Sequence, residues 1–301
     1  MATAETAPDA REFPFSPEHF RLISERIYRF SGIRLPEAKR EMVYSRLARR
    51  LRSLGLASFD EYVRFLEAEP AEWEHCTNAL TTNVTSFYRE EHHFRVLGEH
   101  AREHAARPEP YRVWSAGCST GEEPYTIAMC LTDALPQGKF HVQASDLDTQ
   151  VLATARQAVY PLQSVLKLPE TRQKRFFQRG TGRQEGRARV RREVAGHVEF
   201  TRVNLMDADW GVKAPFDAIF CRNVMIYFDK PTQRRLIERF AGLLAPGGLF
   251  SAGHAESLLD QGRVFRLRGQ TVYELAGSRE DRKSTRLNSS HVVLSRMPSS
   301  A

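Results

Sequence analysis

Apolar residues recur at helical spacing over roughly the first eighty positions. Phe20, Ile23, Ile27 and Phe30 lie three or four apart. Their segment opens with Ser16, Pro17 and Glu18, a cap followed by a first-turn proline, and closes on Gly32. The stretch LPEAKREMVYSRLARRLRSLG repeats the pattern and stops at Gly55, and Ser58 caps a third helix in SFDEYVRFLEAEP. A fourth helix is predicted over residues 71–82 and a fifth over 90–106. From Tyr111 the period changes, and strands alternate with helices. YRVWSA and FHVQASD read as strands, followed by helices in EEPYTIAMCLTDAL and TQVLATARQAVY. HVEFTRVNL and FDAIFCRNVMIYF read as strands, PTQRRLIERFAGLLAPGG as a helix, and LFSAGHAES with the pair RVFRL and TVYEL closes the sheet. This alternation predicts an α/β fold with a mostly parallel, doubly wound sheet and one antiparallel strand at its edge.

Residues 161–198 interrupt that rhythm with a short helix, LPETRQKRFFQRG, and a hairpin with a basic, glycine-rich tip. They are expected to form a small inserted antiparallel β-subdomain. The expected organisation is a disordered start over 1–15, an all-α domain over 16–88, the α/β domain over 89–277 and a disordered tail over 278–301. The tail is rich in serine and arginine, resembles translated non-native sequence, and is given no function.

Composition narrows the class. Of 301 residues, 41% are hydrophobic and 27% charged, an ordinary globular balance. No stretch approaches the roughly 18 apolar residues of a membrane span, and the start lacks a secretion signal, so a cytoplasmic protein with no direct membrane insertion is expected. Cys76, Cys118, Cys130 and Cys221 show no CxxC spacing, which argues against a disulfide framework or a metal site. The net charge is +7, but five basic residues against Glu280 and Asp281 put +3 of it in the tail. A nucleic-acid partner is therefore not demanded.

Candidate chemistry begins at VWSAGCSTGEEPY. A strand, a glycine turn at Gly117 and Gly121 and a helix make a nucleotide pocket at the carboxyl end of a parallel sheet. Phosphate binders of this kind place a lysine there, whereas Glu122 and Glu123 follow this turn. Two carboxylates repel phosphate and welcome a cation. A nucleoside ligand with positive charge and no phosphate satisfies both, and S-adenosylmethionine is the candidate. Asp146, ending the next strand, suits ribose hydroxyls. The plainer reading makes the glutamates helix-dipole partners and Asp146 a cap.

With LTTNVTSFYRE, WSAGCSTGEEPY, ASDLD, NLMD, FDAIFCRNVMIYF and LLAPGGLFSAGHAES in this order, the chain resembles the CheR family of chemotaxis receptor (protein-glutamate O-) methyltransferases over about residues 15–277. The resemblance implies a Rossmann-like class I methyltransferase sheet, S-adenosylmethionine as donor, S-adenosylhomocysteine as product and no metal. It implies that Asn83, Thr85 and Arg89 contact the methionine end of the donor or the incoming carboxylate, that Asn204 and Leu205 flank the adenine, and that Arg222 and Asn223 contact the donor. Tyr227 would lie near the transferable methyl, so Arg89 and Tyr227 are the expected catalytic pair. Which of Glu122 and Glu123 meets the donor stays open. Each residue also has a bland reading: Arg89 as a solvated helix residue, Arg222 as a surface ion-pair partner, Tyr227 as core packing.

The implied acceptor is a glutamate of a chemoreceptor's cytoplasmic helical bundle, already ionised at neutral pH, so no general base is required. Arg46, Arg49 and Arg50 share a helical face and are expected to dock that acidic bundle, although such a face is more often simply solvated. The inserted subdomain would take a receptor C-terminal tether peptide in some family members, and a monomer is the expected state. Two other functions are weighed: a nucleic-acid methyltransferase, disfavoured because Val224, Met225 and Ile226 separate Asn223 from Tyr227 instead of two prolines, and a non-catalytic donor-binding regulator.

Overall fold

The computed structural model describes residues 11–136, 139–256 and 264–276, and the expected tail over 278–301 lies outside them. Four helices come first: α1 (Pro17–Ser31), α2 (Arg40–Leu54), α3 (Phe59–Ala68) and α4 (Glu72–Leu80). The Ser16 side chain accepts the His19 N–H and the His19 ring returns a bond to the Ser16 backbone, which fixes the start of α1. Gly32 and Gly55 end α1 and α2 in the left-handed conformation. Ile23, Ile27, Val43, Leu47, Leu51, Phe59 and Tyr62 are fully buried between the helices. Each such side chain contributes about 1.5–3 kcal/mol. Phe13 and Phe15 are buried in the same core, so the expectation of disorder over 1–15 is corrected from Arg11 onward: two aromatic side chains outweigh the polar composition around them.

The helix α5 (His92–Glu103) leads into the sheet. There follow β1 (Tyr111–Ala116), α6 (Glu122–Ala134), β2 (Phe140–Asp146), α7 (Thr149–Gln157), β3 (Val159–Pro161), α8 (Leu162–Val165), α9 (Glu170–Phe176), β4 (Phe177–Arg179), β5 (Arg187–Val190), α10 (Arg192–Ala195) and β6 (Val198–Arg202). The chain continues through β7 (Phe216–Cys221), α11 (Lys230–Ala241), β8 (Leu244–Ala252), β9 (Phe265–Gly269) and β10 (Val272–Leu275). The main sheet has the order β6-β2-β1-β7-β8-β10-β9. Its first five strands are parallel, and β10 runs antiparallel to both neighbours. This is the expected mostly parallel sheet with an antiparallel edge.

Both faces of the sheet are covered, as the strand alternation requires. On β7, Ala218 and Phe220 face the core shared with α5 and α6, while Ile219 and Cys221 face the core shared with α11. Trp114, Phe216, Phe240 and Phe250 are fully buried on that second face.

Three element boundaries differ from the sequence reading. FDAIFCRNVMIYF is not one strand: β7 stops at Cys221, Asn223 takes φ +60°, and Met225–Tyr227 forms a 3-10 turn. The α11 helix ends at Ala241, and APGG belongs to β8, whose Leu244 pairs with Phe216. Val159–Pro161 is a strand, although Val159 and Tyr160 are read from the sequence as a helix end. It makes the inserted subdomain a three-stranded antiparallel sheet of order β3-β5-β4 and not a lone hairpin.

Candidate functional site

The carboxyl ends of β1, β2 and β7 open into one cleft. The turn after β1 is pinned to β2, because Gly117 and Cys118 donate their N–H groups to the Ser145 carbonyl at 2.8 and 2.9 Å. Gly117 sits at φ +89°, and a side chain there would overlap the Val224 methyl. Bare backbone is therefore required.

Asp146 closes the turn. Its Oδ2 accepts the Ser119 N–H at 2.8 Å and its Oδ1 the Asp148 N–H at 2.9 Å. Burial pushes its carboxyl up, and these backbone N–H groups pull it back. One carboxylate thus braces two loops and keeps a lone pair on each oxygen for a ligand hydroxyl.

The two glutamates part company. Glu123 lies in the cleft wall, where its Oε1 accepts from Ser115 Oγ at 2.8 Å and its Oε2 from Arg222 Nη1 at 3.0 Å. Burial raises its carboxyl, and Arg222 opposes the rise. Glu122 does not line the cleft: it accepts from Thr120 Oγ1 at 2.6 Å. Of the two carboxylates that the sequence left open, Glu123 is the one in the cleft wall. Successive residues of a helix diverge by about 100°, so only one of the pair turns toward β1.

Arg222 is buried and holds the floor together. It pairs with Glu123, lies 3.4 Å from Glu90 Oε2, donates Nη2–H to the Arg89 carbonyl, and sits over the Phe94 ring at 5.4 Å. The surface ion-pair reading is thereby excluded. Glu90 Oε2 is buried without a hydrogen-bond partner.

The loop after α4 carries Asn83, Thr85 and Arg89, and all three line the cleft. Asn83 Nδ2 donates to Asp148 Oδ2 at 2.9 Å, which fastens this loop to the end of β2. Arg89 Nη1 donates to the Val84 carbonyl at 2.8 Å. On the opposite wall, Asn204 Nδ2 donates to the Phe30 carbonyl at 2.7 Å and its Oδ1 accepts the Met206 N–H at 3.0 Å. Leu205 beside it lines the cleft. Asn223 and Tyr227 arrive on the turn after β7, and the Tyr227 carbonyl accepts the Arg34 N–H at 2.9 Å. Tyr227 is a cleft residue, not merely a core aromatic.

Sequence reasoning missed the contribution of the connection between α1 and α2. Arg34 and Lys39, both exposed, and Ile33, Leu35 and Met42 line the same cleft. It also missed Val224, which fills the space over Gly117, and Glu256, buried behind the turn that carries Asn223. Leu35 and Pro36 open the stretch read as the second helix, and nothing local signalled where the connection would lie.

Arg46, Arg49 and Arg50 stand apart from the cleft, along a shallow groove with Ser53, His75 and Gln150. They are not equivalent. Arg46 donates to the Ala79 carbonyl at 3.3 Å and to the Thr81 carbonyl, the end of α4. Arg50 clasps the buried Glu72 at 2.7 Å, and Glu72 also accepts from the Tyr62 hydroxyl at 3.1 Å. Arg49 alone of the three is exposed.

The sheet order, the bare turn after β1 and the acid after β2 define a Rossmann-like methyltransferase. Residues 83–274 match the family model described as "CheR methyltransferase, SAM binding domain", and residues 18–81 match "CheR methyltransferase, all-alpha domain". The chain is 54% identical over 270 residues to a chemotaxis protein methyltransferase of Klebsiella aerogenes, covering 88% of this chain and 92% of that protein. It is 53% identical to chemotaxis protein methyltransferase 2 of Pseudomonas aeruginosa, covering 92% of this chain and 100% of that protein. It is 51% identical to the Escherichia coli chemotaxis protein methyltransferase over 87% of this chain and 92% of that one. This chain belongs to the CheR methyltransferase family.

Among the described residues no group of three or more His, Cys, Asp and Glu side chains could hold a metal ion, and no helix is long and apolar enough to cross a membrane.

Proposed function

We propose that this protein methylates glutamate γ-carboxylates on the cytoplasmic helical bundles of chemoreceptors, with S-adenosylmethionine as donor. The observation that carries this reading is the charge of the cleft mouth: Arg34, Lys39 and Arg89 line it, while the acids Glu123 and Asp146 lie deeper and are engaged. Such a mouth favours an anionic acceptor over a neutral one.

The residues present fit the donor. Gly117 admits it against the backbone, the Asp146 oxygens accept from its ribose, and Glu123 in the cleft wall answers its positive charge. Asn204 and Leu205 flank the adenine, with Thr85 and Asn83 at the methionine end. Bound S-adenosylmethionine supplies a methyl on a cationic sulfur, which a glutamate carboxylate takes with S-adenosylhomocysteine as the leaving product.

The chain's own residues then position and exclude. Arg89 offers a planar fork to the carboxylate, and Tyr227 orients it from the facing turn. The carboxylate is ionised before it arrives, so no residue removes a proton. Positioning and water exclusion supply the barrier reduction.

The exposed Arg49 meets the acidic bundle. The β4 edge of the subdomain, with Gln178 and Arg179 exposed, takes an extended receptor tether by strand addition. The protein acts as a monomer in the cytoplasm and needs neither metal nor nucleic acid.

The test is incubation of the protein with methyl-labelled donor and the host's receptor signalling domains. Base-labile label on the receptor is the expected result. Base-stable label on RNA, or tight donor binding with no ester, would overturn the proposal. Loss of the receptor's C-terminal segment raises its KM where a tether is used.

A further inference from the structure

We infer that Glu256 is a positioning residue for methyl transfer: its carboxylate anchors the turn that presents Asn223 and Tyr227 to the cleft. This rests on the cleft being the transfer site proposed above.

The turn after β7 is a short, irregular connection. Asn223 is left-handed at φ +60°, and the 3-10 turn Met225–Tyr227 follows at once. Little within five residues can hold such a path. The anchor comes from 33 residues away in sequence. Glu256 lies just beyond β8 and is 6% exposed. Its Oε2 accepts the Asn223 N–H at 2.9 Å and also the Gly253 N–H, and its Oε1 accepts the Ile226 N–H at 3.1 Å.

Among the described residues these partners are all backbone N–H groups. A buried carboxylate is costly unless fully bonded, and here both oxygens are used on the turn. The bonds at Asn223 and Ile226 bracket Val224, whose methyl occupies the space above Gly117. The same carboxylate therefore sets the distance between the β7 turn and the glycine turn, two walls of the cleft. Packing leaves no slack: a side chain on Gly253 would come within 2.6 Å of the Asn223 nitrogen. Burial raises the Glu256 carboxyl, and the turn's N–H groups counter that rise.

The role separates from simple loop stability by experiment. Glu256→Gln keeps the shape and turns an amide NH2 toward N–H donors. Donor sites are counted by calorimetry with S-adenosylhomocysteine, so unfolded protein drops out. Expected are a kcat per donor site about tenfold or more below the wild type, a receptor KM within about twofold, and amide hydrogen exchange about tenfold faster at Asn223 and Ile226 with β1 and β2 unchanged. Unchanged kcat per site, or unchanged exchange at those two amides, overturns the inference. Glu256→Ala serves as the larger perturbation; where it fails to fold, the glutamine variant decides. If the wild type forms no receptor ester, the proposed function falls, and the exchange measurement alone decides whether Glu256 anchors the turn.

Discussion

Asp146 concentrates several demands on one carboxylate. It braces the Ser119 and Asp148 N–H groups and faces the cleft with what remains. Hydrogen bonds to a charged acceptor contribute about 1.5–3 kcal/mol each, so Asp146→Ala raises the donor Kd by about 10- to 100-fold. An unchanged Kd by calorimetry removes Asp146 from the donor site. Arg89→Ala lowers kcat by about tenfold or more with the melting temperature held, because among the described residues its guanidinium is bound to the Val84 carbonyl and loosely to Glu90. Retained turnover reduces Arg89 to a loop staple.

His93 gives a pH signature. It is fully buried, bonded to Thr271 Oγ1, and pushed down to about 3 by burial and then by the charges of Arg222 and His92. The unfolded chain takes this proton near pH 6.5 and the native chain does not, so native stability falls as pH drops from 6.5 toward 3. The slope is up to about 1.4 kcal/mol per pH unit. The raised carboxyls of Asp146, Glu123 and Glu256 act in the opposite sense but are shared with a variant. Urea titrations at pH 7 and pH 5 should therefore show wild type losing more stability than His93→Gln. Equal losses refute the assignment.

At the scale of elements, the basic face of α2 shows how one pattern serves two purposes. Arg49, Arg46 and Arg50 look alike in sequence, yet Arg50 holds the buried Glu72 and Arg46 the end of α4, and only Arg49 projects freely. Arg49→Glu raises the receptor KM several-fold at constant donor Kd and constant stability. Arg50→Ala instead strands a buried carboxylate and costs about 3 kcal/mol in stability. Denaturant unfolding and receptor kinetics on the two variants distinguish these outcomes, and identical behaviour defeats the distinction.

The helices of the first domain were readable because Ser16, Ser58, Gly32 and Gly55 punctuate them. The turn after β7 was not. Its residues Val224, Met225 and Ile226 are as apolar as the strand before them, and hydrophobic pattern alone carries no signal of a left-handed asparagine. Val159–Pro161 was hidden for a related reason. Three residues are too few to establish a period, and the strand exists only because β5 pairs with it.

For the molecule as a whole, the legible part of the site was the linear part. Gly117, Glu123, Asp146, Arg222 and Asn223 stand at strand ends, where a parallel sheet collects them. Arg34, Lys39 and Met42 reach the cleft only through topology, from the helical domain, and Glu256 reaches the turn behind it from beyond β8. The two domains are tied there by the Arg34 N–H on the Tyr227 carbonyl, the Asn204 amide on the Phe30 carbonyl and the Tyr28 hydroxyl on Asp229. Separation in sequence hid the cleft's second wall.

The burial of Arg222 among Glu123, Glu90 and an aromatic ring has a consequence for the protein in concentrated electrolyte. Mobile ions screen exposed charges over about 8–10 Å but scarcely reach a sequestered pair. On the docking proposed for Arg49, raising potassium chloride from about 50 to about 500 mM weakens binding of the acidic helix while donor affinity holds, and the two affinities diverge as salt is added. Parallel loss of both would mean that the floor beneath the donor is wet.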